Sequence, residues 1–333
     1  MAFKLIGKAF TPPDVLAKVT GKAKFSEDIR ADGLVYCRVL GSPMPHARVR
    51  NIDDSEAKKV KGFIAILTAD EVPSFPPPNN SILNNEPRYV GEPILAVAAE
   101  TEAAAAEAVN KIKLDLEPMP FVTDPLESLF PRGPDARTNG NVANVRLKLQ
   151  KIKWSAGDFA KAGDDSLPTG KPAEQWQFGD LEGNFKKADL VVEESFVTAG
   201  YAHNSMEPRS AMAYWQNGKC FLHGSSQSQQ FMIFGLSRLI GIKPTQLVYQ
   251  AAFCGGGFGS KGAPYGEMTV PAHMSKKLGG RPVLMRISRE EEHYIGRGRP
   301  GFQGKVKIGF RKDGRILACD MFIGHDNGPN TGV

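Results

Sequence analysis

Apolar residues along this chain fall in short runs whose spacing changes twice, dividing the sequence into three stretches. In the first, residues 34–40, 63–67 and 94–98 are rich in β-branched, aromatic and aliphatic residues and predict strands. The alanine-rich segment 100–113 predicts a helix, with Thr101 placed to cap its first free N–H groups. Residues 112–116 then return to a strand pattern, so this stretch reads as an α+β unit. The last stretch predicts strands at 191–197, 211–215, 220–223, 248–253, 283–287 and 306–310, and helices at 229–239 and 265–278. Lys312-Asp313-Gly314-Arg315 reads as a hairpin turn, with Asp-Gly supplying the positive-φ positions.

Between them, residues 130–183 lose the periodicity and gain Pro, Gly, Asp, Thr and Lys, as in the run from Asp164 to Pro172. Such a stretch predicts an extended strap over the surface. The expected organisation is an N-terminal domain at 14–129, a connector at 130–186 and a second α+β domain at 187–333. The final run, Asn327 to Val333, carries no strand or cap pattern, and the second domain is expected to be interrupted there.

Composition narrows the function classes. With 333 residues, 41% hydrophobic and 23% charged, the chain is an ordinary globular protein long enough for two domains. Its net charge of +6 is spread out, with no aromatic-interleaved basic face, which disfavours nucleic acid. No run approaches the ~18 apolar residues of a membrane span. The first eight residues lack an export signal, and the four cysteines form no Cys-x-x-Cys, so the expected location is the cytoplasm. Any metal must arrive with its own ligands or belong to another chain.

The strongest chemical signal is the loop Cys254-Gly255-Gly256-Gly257-Phe258-Gly259-Ser260-Lys261-Gly262, set between a predicted strand and a predicted helix. Clustered glycines let a backbone approach a ligand closely, and free N–H groups at a helix start suit an oxyanion. The nucleoside-triphosphate loop Gly-x-x-x-x-Gly-Lys-Ser/Thr does not fit, because Ser260 precedes Lys261. Gly257 to Gly262 fits Gly-x-Gly-x-x-Gly, but Arg281 and Pro282 stand where a dinucleotide site needs an acid. Neither pattern explains Phe258. Two further segments feed the same region: Tyr201-Ala202-His203-Asn204-Ser205-Met206-Glu207-Pro208, and Ser225-Ser226-Gln227-Ser228-Gln229-Gln230 at a strand–helix junction. A side-chain amide can donate to an oxo group while its carbonyl stays with the scaffold.

In this combination the chain resembles the molybdopterin-binding large subunits of the xanthine dehydrogenase and aldehyde oxidase family. The resemblance rests on the Gly-Gly-Gly-Phe-Gly loop preceded by the Gln227 and His203…Glu207-Pro208 segments. Val19 to Ile29, Ser42 to Val49, Val90 to Ile94 with Thr101 to Val109, Gly280 to Val283 and Ser288 to Glu291 add to it, so that it covers nearly the whole chain. It implies an α/β-hammerhead domain followed by the first part of a molybdopterin-binding domain. It also implies that Gln227 hydrogen-bonds an oxo ligand of molybdenum, and that Phe258 and Gly259 lie against the metal's ligands on a backbone set by Gly255, Gly256 and Gly257. His203 and Glu207 are expected to be a buried structural pair.

The implied activity is hydroxylation of an electron-poor carbon, in an N-heterocycle or aldehyde, with oxygen from water and a glutamate as base. The implied cofactor is molybdenum on molybdopterin, in the cytosine dinucleotide form, with [2Fe-2S] clusters and FAD on partner chains. Purine-oxidising members carry an acid just after the loop lysine; here Gly262 stands there, which argues against xanthine. The family's base is expected beyond Val333, on a C-terminal half supplied as another chain, and Glu290, Glu291 and Glu292 read as a solvated turn. A non-catalytic assembly module, or a carbon monoxide dehydrogenase-type large subunit, are the alternatives.

Overall fold

The computed structural model describes residues 3–75, 81–135, 140–144, 148–162, 166–326 and 328. A short helix α1 (Val15–Val19) leads into strands β1 (Val35–Gly41), β2 (Ala47–Asp53), β3 (Phe63–Thr68) and β4 (Pro93–Ala99), helix α2 (Glu102–Lys111) and strand β5 (Lys113–Pro118). The Thr101 hydroxyl accepts the Ala104 N–H at 3.1 Å, capping α2 as the sequence predicts. The helix stops short of residue 113, because Lys113 already pairs with Asp53 of β2.

The middle stretch forms the two-residue strands β6 (Val142–Ala143) and β7 (Leu149–Gln150) and the short helices α3 (Ala156–Ala160) and α4 (Leu181–Lys186). It remains a strap, but an anchored one. Trp154 is buried, stacks edge-on against Phe322 and donates its indole N–H to the Lys171 carbonyl.

The last stretch supplies β8 (Leu190–Thr198), β9 (Ala211–Gln216), β10 (Lys219–Gly224), α5 (Gln229–Ile240), β11 (Leu247–Gln250), α6 (Val270–Lys277), β12 (Val283–Met285), β13 (Gly301–Phe310) and β14 (Ile316–Asp326). Strand β11 is shorter than predicted: residues 251–253 leave the sheet to begin the glycine loop. The predicted 265–278 helix splits into a 3-10 turn, Gly266–Thr269, followed by α6, whose first turn contains Pro271. In the hairpin between β13 and β14 only Gly314 has positive φ, so Asp313 does not share that role.

One sheet joins strands from the first and last stretches, in the order β11-β10-β9-β12-β1-β4-β3. Strand β12 is the junction, pairing parallel with β1 (Val35 with Val283) and antiparallel with β9 (Ala213 with Val283). All seven residues of β4 are buried, as expected for a central strand covered on both faces. Leu95, Val97 and Ala99 pack with Ala105 and Ala108 of α2, whereas Ala96 and Ala98 face the cluster holding Val35, Cys37, Val283 and Met274. This alternation follows from the period-2 geometry of a strand. At the other end Met232, Leu236 and Ile240 form an i, i+4, i+8 stripe on α5 against Ala213, Leu222 and Tyr249. Burying each such side chain contributes roughly 1.5–3 kcal/mol. Strands β8, β13 and β14 form a separate three-stranded sheet.

Candidate functional site

The C-terminal ends of β10 and β11, which run parallel, bring Gln227 and the glycine loop together. The Gln227 side-chain carbonyl accepts the Gly259 N–H at 2.8 Å and the Lys261 N–H at 3.3 Å. The Gln227 backbone N–H in turn donates to the Lys261 carbonyl at 3.0 Å. Because two donors occupy its oxygen, the orientation of this amide is fixed, and its NH₂ group has no acceptor among the described residues. Gly257 makes the approach possible: a Cβ there would stand 2.5 Å from the Gln227 Oε1.

Phe258 is held with φ +51°, a left-handed conformation that a side chain with a Cβ seldom adopts. Its ring is 61% exposed. Arg299 donates to the Phe258 carbonyl at 2.6 Å, gripping the strained residue from the other side. Gly256 and Gly259 also have positive φ, +101° and +102°.

The loop does not start a helix: Gly266–Thr269 intervenes before α6. Nor are all its N–H groups bare. Gly255 donates to Glu207, Ser260 to Gly257, Gly262 to Gly259, and Gly259 and Lys261 to Gln227. Gly256, Gly257 and Phe258 keep N–H groups without an acceptor among the described residues.

The expected His203–Glu207 pair is not formed. Glu207 is buried, but its partners are Ser26 (N–H 3.3 Å, hydroxyl 3.0 Å), Ser225 (2.6 Å), the Gly255 N–H (2.7 Å) and Lys261 (3.5 Å). His203 lies instead beside Gly259 and Arg299. Burial, reinforced by the Arg299 and Arg209 charges, lowers its pKa and favours the neutral ring. The two residues sit four apart in a segment without helical structure, so their side chains diverge.

The acidic run also departs from its predicted solvated turn. Glu290 is exposed, but Glu291 reaches Arg38 at 3.3 Å, and Glu292 is sealed in an ion pair with Arg209 at 2.7 Å. Arg209 extends further to the carbonyls of Ile295 (2.9 Å) and Arg297 (3.1 Å), fixing the segment that delivers Arg299. Sequence reasoning gave no role to Lys261 and Ser225, which lie in the segments it singled out, or to Ser26, Arg209 and Arg299. Lys261 was the legible one, a long cation inside a run of small residues. Among the described residues no group of three His, Cys, Asp or Glu side chains is placed to hold a metal ion.

Parallel strand ends thus carry a pinned amide, a glycine-rich loop and an exposed aromatic side chain on an α+β fold. The Molybdopterin cofactor-binding domain model matches residues 165–332, and the Aldehyde oxidase and xanthine dehydrogenase, a/b hammerhead domain model matches residues 20–120. The chain belongs to the xanthine dehydrogenase and aldehyde oxidase family, as a molybdopterin-binding subunit. It is 27% identical over 325 residues to the xanthine dehydrogenase/oxidase of Rattus norvegicus, covering 94% of this chain and 22% of that protein. It is 26% identical over 339 residues to the nicotinate dehydrogenase large molybdopterin subunit of Eubacterium barkeri, covering 98% of this chain and 71% of that one. The fold matches CO dehydrogenase from Oligotropha carboxidovorans with a TM-score of 0.76 at 22% identity, over 95% of this chain and 39% of that chain. The chain spans 22% to 39% of the length of the first three curated relatives it matches.

Proposed function

We propose that this chain forms one wall of the molybdenum pocket of a hydroxylase that oxidises an electron-poor carbon in an N-heterocycle or aldehyde. The observation that carries the reading is the Gln227 amide, its carbonyl spent on Gly259 and Lys261 and its NH₂ group left to donate. The residues fit a bulky, oxo-bearing group. Gly257 has no room for a side chain, the N–H groups of Gly256, Gly257 and Phe258 have no acceptor among the described residues, and Phe258 is exposed beside them.

A bound molybdenum–molybdopterin group supplies the two-electron oxidation, with oxygen drawn from water. The chain's own contribution would be orientation: with the group bound, Gln227 would donate to one of its oxygens, Phe258 would exclude water from one side, and Gly259 would leave space for close approach. Nothing in the loop offers a proton acceptor for substrate: Glu207 is fully engaged and Gly262 has no side chain. The base is assigned to residues outside this loop, in an enzyme that also uses an iron–sulfur subunit and an FAD subunit. The cofactor is assigned as the cytosine dinucleotide form. Four cysteines without a disulfide among them fit a cytoplasmic assignment.

Co-expression of the chain with its neighbouring reading frames, followed by metal analysis and turnover on a panel of N-heterocycles and aldehydes, tests the reading. Molybdenum near one per chain with turnover that falls in Gln227→Ala is expected. Metal-free, inactive protein from the full set of partners leaves only an assembly module.

A further inference from the structure

We infer that Lys261 and Glu207 are positioning residues that aim the Gln227 amide. The inference rests on the hydroxylase reading for its purpose, and on the geometry alone for its operation. Two positions near opposite ends of the glycine loop, Gly255 and Lys261, land on the same residue. The Gly255 N–H donates to the Glu207 carboxylate at 2.7 Å. The Lys261 ammonium donates to the Glu207 backbone carbonyl at 2.6 Å and lies 3.5 Å from its carboxylate. Glu207 is itself fixed from two other directions, by Ser26 near the N-terminus and by Ser225 at the end of β10.

The consequence reaches Gln227 through covalent rigidity. A carboxamide is planar, so pinning its oxygen sets the direction of its NH₂ group. The two groups that pin it, the N–H of Gly259 and of Lys261, belong to the stretch of loop that Lys261 anchors. Lys261 therefore acts twice: its backbone exchanges hydrogen bonds with Gln227 in both directions, and its side chain ties that backbone to Glu207.

Solvent does not reach the Lys261 side chain, and burial lowers its pKa against the attraction of Glu207. A sealed ion pair is a poor source of stability, because desolvation of both charges offsets their attraction. It is a good source of registry, since neither partner tolerates displacement without leaving a buried charge alone. An apolar filler under the loop would satisfy packing and leave the Gln227 direction unspecified.

The test uses the full chain without metal and, separately, the assembled enzyme. Lys261→Met alone strands a buried carboxylate, so the informative protein is the double variant Glu207→Gln with Lys261→Met, which restores neutrality. Thermal unfolding identifies whether it folds. In the folded double variant the Gly259 amide is expected to exchange about tenfold faster than in the wild type. The Gln227 side-chain NH₂ resonances should move to free-glutamine positions, while amides of the β13–β14 hairpin stay unchanged. In the assembled enzyme kcat falls and KM holds, because orientation and not substrate binding is lost. Unchanged Gly259 exchange and Gln227 resonances in the folded double variant overturn the inference, as does full kcat with a demonstrably loosened loop. Should the double variant not fold, Ser225→Ala, which removes one of the bonds fixing Glu207, replaces it with the same readouts and the same criteria. If wild-type enzyme carries no molybdenum, the hydroxylase reading fails while the amide measurements still decide the positioning.

Discussion

The Arg209 guanidinium meets the Glu292 carboxylate at 2.7 Å with both side chains sealed from solvent. Removing one partner leaves the other charge buried, which costs about 3–5 kcal/mol. Arg209→Met and Glu292→Gln are each expected to lose stability of that order in urea unfolding. The double variant should recover much of it, since no lone charge remains. Equal losses in singles and double would show that the pair acts only through its carbonyl contacts.

Gly257→Ala places a methyl group 2.5 Å from the Gln227 Oε1, well inside van der Waals contact. Gln227 must yield, taking its bond to Gly259 with it. Overpacking of this kind costs about 1–3 kcal/mol. Calorimetry on the chain should show that loss, and turnover in the assembled enzyme should fall by about tenfold or more if the amide orients the oxo group. Unaltered turnover would remove Gln227 from the pocket.

Phe258 offers the opposite trade. Its left-handed backbone costs about 1–2 kcal/mol for a residue with a Cβ, a cost that glycine does not carry. Its ring, 61% exposed, returns little burial. Phe258→Gly is therefore expected to raise chain stability by up to about 1 kcal/mol, allowing for glycine's larger unfolded-state entropy. Activity should drop as the apolar wall is lost. A destabilised Phe258→Gly variant would show that the ring packs in the free chain.

Two buried groups set opposing pH dependences. Burial raises the Glu267 pKa from 4.5 to about 7, so its contribution to stability is lost as pH rises through that window. Burial lowers the His273 pKa from 6.5 to about 4, so its contribution is lost as pH falls through that one. Each shift is worth roughly 3 kcal/mol. The two slopes oppose each other where the windows overlap, so removing either group exposes the other's. Glu267→Gln should uncover stability rising with pH, and His273→Gln stability falling with it. A wild-type slope retained in either variant would assign the titration elsewhere.

Much of the fold was legible because its elements are locally determined. Thr101 and the alanines behind it announce α2, and the runs at β1, β3, β4 and β9 to β12 are short and apolar. Strand β2 was not: Ala47-Arg48-Val49-Arg50 alternates for only four residues before Asn51 breaks the pattern, at the irregularity in its pairing with β5. The candidate site divides the same way. The glycines and Gln227 stand out through unusual composition, whereas Glu292 in a run of three acids carries no local mark of burial. Its partner Arg209 is 83 residues away, and only the folded chain brings them together.

Strand β12 closes the seven-stranded sheet from sequence position 283, sitting between β1 and β9. On the ribosome, β1 emerges some 250 residues before the neighbour that completes it. Until then its open edge offers unpaired peptide groups to any other nascent chain. The keystone arrives late, so synthesis of this protein carries a long interval in which a chaperone's shelter matters more than the stability of the finished sheet.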